Sequence, residues 1–161
     1  MRLARQPGIA WVGLLAFVST ACVLFSLAGC RRTPAEQAIR ENIVAMQQAA
    51  DQRNSDALLA PLADDFIGSE DAGETFDRRS FGRYVRLIQM REGSIHATLG
   101  PIAVTLQGTD RATATFTAVL TGGAGLLPSD GQIEQINTGW RLDGREWKLI
   151  SAEWKTTAST R

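Results

Sequence analysis

A chain of 161 residues is long enough for one domain with a single core, and its 17 Lys and Arg against 17 Asp and Glu leave no formal net charge. That balance argues against a nucleic-acid binder, which shows a marked basic excess. Two cysteines and one histidine are too few for a zinc site built from thiolate or imidazole ligands.

The chain opens with Arg2 and Arg5, then an apolar run from Ile9 to Gly29 that closes on Leu27-Ala28-Gly29-Cys30. Charged start, apolar core and small-residue site follow the order of an export signal. The last four residues resemble the lipobox of bacterial lipoproteins, a Leu, two small residues and a Cys. That resemblance implies cleavage before Cys30, acylation of its thiol by fatty acid such as palmitate, and a membrane partner reached through lipid. The alternative is an uncleaved span, because 21 residues at about 1.5 Å each just cross a bilayer core of about 30 Å; Ser19, Thr20 and Ser26 interrupt it. The expected division is a signal over 1–29, a lipidated Cys and tether over 30–33, a domain over 34–155 and a polar tail over 156–161. Removing the signal takes two Arg and no acid, leaving 15 basic and 17 acidic residues, a formal −2. With Cys22 gone and Cys30 acylated, no intrachain disulfide is available and the core must hold the fold unaided. Arg31 after the Cys, where an Asp would retain the protein at the inner membrane, resembles the sorting pattern for the periplasmic side of a Gram-negative outer membrane.

Thr33-Pro34-Ala35-Glu36 reads as a helix start with Thr as N-cap and Glu closing a capping box. Ile39, Ile43, Met46 and Ala50 form its apolar stripe to about Gln52, with Glu36, Arg40 and Gln47 on the wet side. Asn54 caps a short second helix around Leu58, Leu59 and Leu62. Two apolar pieces, Asp64 to Gly68 and Glu74 to Phe76, flank an acidic Gly-containing turn and suggest a small hairpin. Asp77 caps a third helix that buries Phe81, Tyr84, Val85 and Ile88 and turns Arg79, Arg83 and Arg86 outward.

From Ser94 the period becomes two. Ile95, Ala97 and Leu99 alternate, then Ile102, Val104 and Leu106 alternate in opposite parity, so Gly100-Pro101 must bend or bulge. Ala112 to Leu120 alternates with threonines as a half-buried strand. A glycine-rich loop from Gly122 to Gly131 leads to the strand Gln132–Leu142, and Asp143-Gly144 turns the chain into Trp147–Lys155. The predicted class is α+β, three N-terminal helices packed on a curved, mainly antiparallel four-strand sheet.

This order, with the passages Asn54 to Leu58, Ala63 to Phe66 and Gly139-Trp140-Arg141-Leu142-Asp143-Gly144-Arg145-Glu146-Trp147, resembles the nuclear transport factor 2-like (NTF2-like, SnoaL-like) superfamily over about Ala35 to Trp154. The resemblance implies a cone of sheet wrapped on helices, often with an apolar pocket, and frequent dimers. Its members include isomerases, dehydratases and epoxide hydrolases as well as binding modules. Counting the interval at which ketosteroid isomerases of the superfamily carry their carboxylate reaches Glu70. The interval for their enolate-holding tyrosine lands on Met46, whose thioether cannot donate a hydrogen bond, so Glu70 is a weak catalytic candidate.

Among the remaining residues, His96 is a lone ring without a second ligand, and neither Asp64-Asp65 nor Glu70-Asp71 has the spacing of a calcium loop; no metal or cofactor is expected. Arg79, Arg83 and Arg86 suit either solvent or anionic headgroups. The stretch Gly122 to Gly125 precedes a strand, which excludes a phosphate cradle. Leu126 and Leu127 suit a core or dimer contact, or a pocket lid. If the last strand is regular, Trp147 and Trp154 lie on opposite faces. The tentative pocket or interface set is therefore Phe66, Tyr84, Leu126, Leu127, Trp140, Glu153 and Trp154. The expected function is a lipid-anchored, non-catalytic module of the cell envelope that binds an apolar small molecule or a protein. One alternative is an isomerase, lyase or hydrolase using Glu70, Glu134 or Glu153; the other is a homodimeric scaffold.

Overall fold

A computed structural model describes residues 34–160 except 72, 92–93 and 124–129, and Pro34–Arg161 form one compact unit. Helix α1 spans Ala35–Asp51 and α2 Ser55–Leu59; strands β1, Leu62–Glu70, and β2, Thr75–Asp77, follow, then helix α3, Arg78–Arg91. Strands β3 to β7 run over Ser94–Leu99, Ala103–Gln107, Arg111–Gly123, Asp130–Asp143 and Glu146–Thr160. The signal segment, Cys30 and the Leu126-Leu127 pair lie outside the described residues. No described helix is long and apolar enough to cross a membrane.

The expected four-strand sheet is a mixed sheet of seven strands in the order β2-β1-β7-β6-β5-β3, with β4 also paired to β5. Two causes account for the difference. The hairpin β1–β2 joins the main sheet, because β1 runs parallel to β7, with Gly68 opposite Ala152 and Glu70 opposite Trp154. The bend at Gly100-Pro101 splits one edge into two strands: β3 pairs with the far half of β5 and β4 with its near half. Gly100 is held by its N–H on the Thr117 carbonyl at 2.9 Å, and a Cβ there would stand 2.4 Å from Thr117 Oγ1, so any larger residue would force that hydroxyl aside.

Helix ends follow local chemistry where a side chain can reach. Asn54 Oδ1 accepts from the Ala57 N–H at 3.0 Å, and Asp77 Oδ1 accepts from the Ser80 N–H at 2.6 Å. Helix α1 has Pro34 at its N-cap with no side-chain cap, and Glu36 pairs with Arg40 at 3.5 Å; Thr33, the expected cap, lies outside the described residues. Nor is the polar side of α1 simply wet. Gln47 Nε2 donates to the Ala97 carbonyl at 3.0 Å and Asp51 Oδ1 accepts from the Ala97 N–H at 3.0 Å, so the helix satisfies backbone groups on edge strand β3. Arg40 Nε reaches the Ile102 carbonyl at 3.2 Å in the same way.

The last strand does not stop at Lys155. It continues to Thr160, paired with Gly131, and takes the expected tail into the ladder. It also carries two irregularities. The register with β6 passes from Gly139–Ser151 to Trp140–Leu149, leaving Ile150 as a bulge, and from Ile133–Ala158 to Glu134–Thr156, leaving Thr157 as another. One extra residue reverses the parity of a strand. Trp147 and Leu149 are buried on one side of the Ile150 bulge, and the inward residues beyond it are Ala152 and Trp154. Trp147 and Trp154 therefore share a face, contrary to the expectation from a regular strand.

Arg141 ties the outer side of β6 to β1. Its guanidinium donates to both Asp65 oxygens at 2.8 and 3.1 Å and to Asp143 at 2.7 and 3.0 Å. The arginine holds both carboxyls below the usual carboxylate range, and hydrogen bonds from Ser80 do the same for Asp77. A depressed folded-state value means stability that is present above the ordinary carboxylate range and lost as pH falls through the folded value. Melting temperature is expected to hold near pH 6 to 7 and to fall below about pH 4, with Asp65→Asn removing part of that acid sensitivity in a pH series of thermal melts.

Candidate functional site

Alternation along β5, β6 and β7 sets one face of the sheet against the helices, and the two ends of that face differ. At the end near the β6–β7 turn, Trp140 and Phe66 are each 1% exposed and pack with Ile39 and Leu62. Trp140 Nε1 donates to Thr138 Oγ1 at 2.9 Å, and Thr138 Oγ1 donates to the Ala114 carbonyl at 2.9 Å, so the polar atoms there are satisfied. This end of the cone is filled by side chains.

At the opposite end the same face carries an acid. Glu134 pairs across the sheet with Ala118 and Thr156, which places it inward, and it is 4% exposed. Its Oε1 accepts from Thr156 Oγ1 at 2.7 Å. Its Oε2 is buried with no hydrogen-bond partner among the described residues. An unsatisfied buried polar atom costs about 1–3 kcal/mol, more when charged, so such a group calls for a partner. The Thr157 bulge lies directly beside it, and bulges commonly re-aim a side chain next to a site.

The apolar residues around this acid are less covered than those at the filled end: Leu120, Ile136 and Trp154 are half-buried. An aromatic wall stands on one flank. Trp154 stacks on Phe76 with centroids 5.9 Å apart and meets Phe81 at 5.9 Å, and Phe76 in turn meets Tyr84 at 5.2 Å. Gly68 makes room for the indole, since a Cβ there would be 3.0 Å from Trp154. One carboxylate in an apolar, aromatic setting can accept a hydrogen bond from a ligand donor or take up a proton.

The structure distributes the sequence-derived candidates unevenly. Trp154, Phe66 and Tyr84 belong to one aromatic cluster, and Trp140 lies in the filled core. Glu153 is exposed opposite Asn137, on the outer face away from Glu134. Glu70 is half-buried where β1 turns toward β2, its N–H on the Glu74 carbonyl at 3.0 Å. Met46 packs on the core. His96 is 64% exposed in its side chain, with Nδ1 3.8 Å from Asp51. Among the described residues no group of three His, Cys, Asp or Glu side chains is placed to hold a metal ion. Thr156 escaped the sequence reading because the strand was expected to end before it; the β-propensity of the Thr156-Thr157 pair was the available signal. The outer face of the sheet carries the paired and exposed Val119 and Ile133. A separate open groove of about 960 Å³ lies outside the cone, between α2, the start of β1 and α3.

No protein-family model matches the sequence, and no curated protein is recognisably similar to it. Solved structures do match in shape, and they define an α+β fold of the NTF2-like, cystatin-like kind with seven described strands and three described helices. A candidate scytalone dehydratase from Novosphingobium aromaticivorans superposes with a TM-score of 0.69 at 16% identity, covering 78% of this chain and 85% of that one. An NTF2-like protein of unknown function from Pseudomonas putida gives 0.66 at 25% identity over 75% and 85%. An NTF2-like protein with a cystatin-like fold, also from Novosphingobium aromaticivorans, gives 0.67 at 21% over 87% and 89%. At such identities the likeness defines the fold, and function has to be argued from the site.

Proposed function

We propose that this domain binds a small, largely apolar molecule against the inner face of the sheet, held by a hydrogen bond from a ligand donor to Glu134 Oε2. The observation that carries the reading is that buried, unpartnered oxygen beside half-covered apolar and aromatic side chains. A ligand hydroxyl or N–H would supply the missing partner, and Leu120, Ile136 and Trp154 would cover its apolar body. Acylation of Cys30, expected from the Leu27 to Cys30 stretch, sets this site at the surface of an envelope membrane; the intact mass of the chain extracted from membranes, with or without fatty-acyl chains, decides that part.

The binding reading is tested by thermal-shift titration with a panel of phenols, alcohols and amines on apolar scaffolds. A binder present at about 100 times its Kd should stabilise the native chain by about 2.7 kcal/mol. The shift should vanish in Glu134→Met. Equal shifts in the two proteins, or none from a donor-bearing ligand, would remove the proposal. A second reading is favoured by the similarity to a candidate dehydratase: the same carboxylate would move a proton on a bound substrate. Glu134→Gln separates the two, because an amide can still hydrogen-bond a ligand but cannot act as a base. Turnover of a hit that is abolished in Glu134→Gln while binding persists would establish the catalytic reading.

A further inference from the structure

Helix α3 reads RRSFGRYVRLIQMR, five arginines and no acid in 14 residues. Its inward stripe is Phe81, Val85 and Ile88. On the opposite stripe Arg79, Arg83 and Arg86 fall at i, i+4 and i+7, and Leu87 and Met90 stand on the same side with exposures of 46% and 76%. This composition is unfavourable for the helix itself. Like charges at i, i+4 repel, and Arg78 and Arg79 occupy the first turn, where the helix dipole favours acids.

Some of the charge is answered from neighbouring elements. Arg78 pairs with Asp64 of β1 at 2.6 Å and Arg86 with Asp56 of α2 at 3.3 Å. Arg79 and Arg83 have no acid within ion-pair distance among the described residues; the nearby Asp77 carboxylate is taken up by Ser80. Two guanidinium groups that feel the Asp77 carboxylate but make no ion pair among the described residues therefore stand beside an exposed Leu87 and a Met90 that is three-quarters exposed. Guanidinium groups attract anionic headgroups, and apolar side chains on the same helix face enter the acyl boundary.

We propose that the outward face of α3 docks on an anionic lipid surface. The charge complementarity selects lipid over a second copy of this chain, whose mature part carries 17 acids spread against 15 basic residues with no acidic helix to match. It also fits the expected anchor. Cys30 precedes α1 by five residues, which at about 3.5 Å each reach less than 20 Å.

The test uses residues 34–161, which form a compact unit with its own core, so that binding owes nothing to a lipid tail. They are sedimented with vesicles of phosphatidylcholine alone and of phosphatidylcholine mixed with phosphatidylglycerol. Binding is expected only to the mixed vesicles and is expected to weaken with salt. Each of Arg79→Gln, Arg83→Gln and Arg86→Gln should weaken it about five-fold, and all three together roughly a hundredfold. These positions are outward-facing, so circular dichroism of the triple variant should match the parent. Met90→Ser should weaken binding without changing its salt dependence. Equal affinity for both vesicle types, no binding to either, or a folded triple variant that binds like the parent overturns the proposal.

Discussion

Truncating Trp140 to alanine is expected to cost about 3–5 kcal/mol, the range for removing a buried indole. A domain of this size has a total stability of about 5–15 kcal/mol, so the variant should lie close to unfolding at physiological temperature. The site explains the size of the effect. Trp140 is 1% exposed and packs with Phe66, Ile39 and Leu62. Part of the loss is polar, because Trp140 Nε1 is the donor that satisfies Thr138 Oγ1. Trp140→Phe isolates that part: it retains much of the apolar area and removes one hydrogen bond while the Thr138 hydroxyl keeps its bond to the Ala114 carbonyl, which should cost about 0.5–1.5 kcal/mol. Urea denaturation of the three proteins checks both figures, and an alanine variant as stable as the parent would show that the filled end of the cone is not what holds the helices to the sheet.

The opposite sign is expected at Glu134. Replacement by methionine keeps the side-chain length, removes a buried oxygen with no partner, and should raise stability by about 1–3 kcal/mol in the absence of ligand. Thr156 is exposed, so its hydroxyl can turn to water when the acceptor disappears. In a domain of this size each kcal/mol corresponds to a few degrees in Tm. A residue whose removal stabilises the protein is one retained for something other than folding, and ligand binding should be lost together with the gain in Tm. A fall in Tm for Glu134→Met would mean that the protein itself already satisfies Oε2 and that no receptor site is waiting there.

Much of the architecture is readable along the chain because it depends on neighbours in sequence. Asn54 and Asp77 mark helix starts by reaching N–H groups three residues on. The alternation from Ala112 to Leu120 marks a half-buried strand, and the parity change at Gly100-Pro101 marks the split edge. The parallel contact of β1 with β7 leaves no such trace, since it joins residues more than 80 positions apart whose own patterns are those of ordinary strands. The bulges at Ile150 and Thr157 are equally silent and decide more. They turn Glu153 outward and bring Trp147 and Trp154 to one side, where period-two counting along β7 gives the wrong phase. Glu134 thus stood among three candidate acids with nothing local to separate it from the others.

The position of β7 between β1 and β6 also governs the order in which this protein can assemble. Helices and the hairpin emerge early from the ribosome, but the strand that unites them is the last to be made. Contacts of such long sequence separation slow folding, because loop closure must be completed before they stabilise anything. Until those fifteen residues of strand are made, the β1–β2 hairpin has no place in the main sheet, because β7 is the strand that joins it to β6.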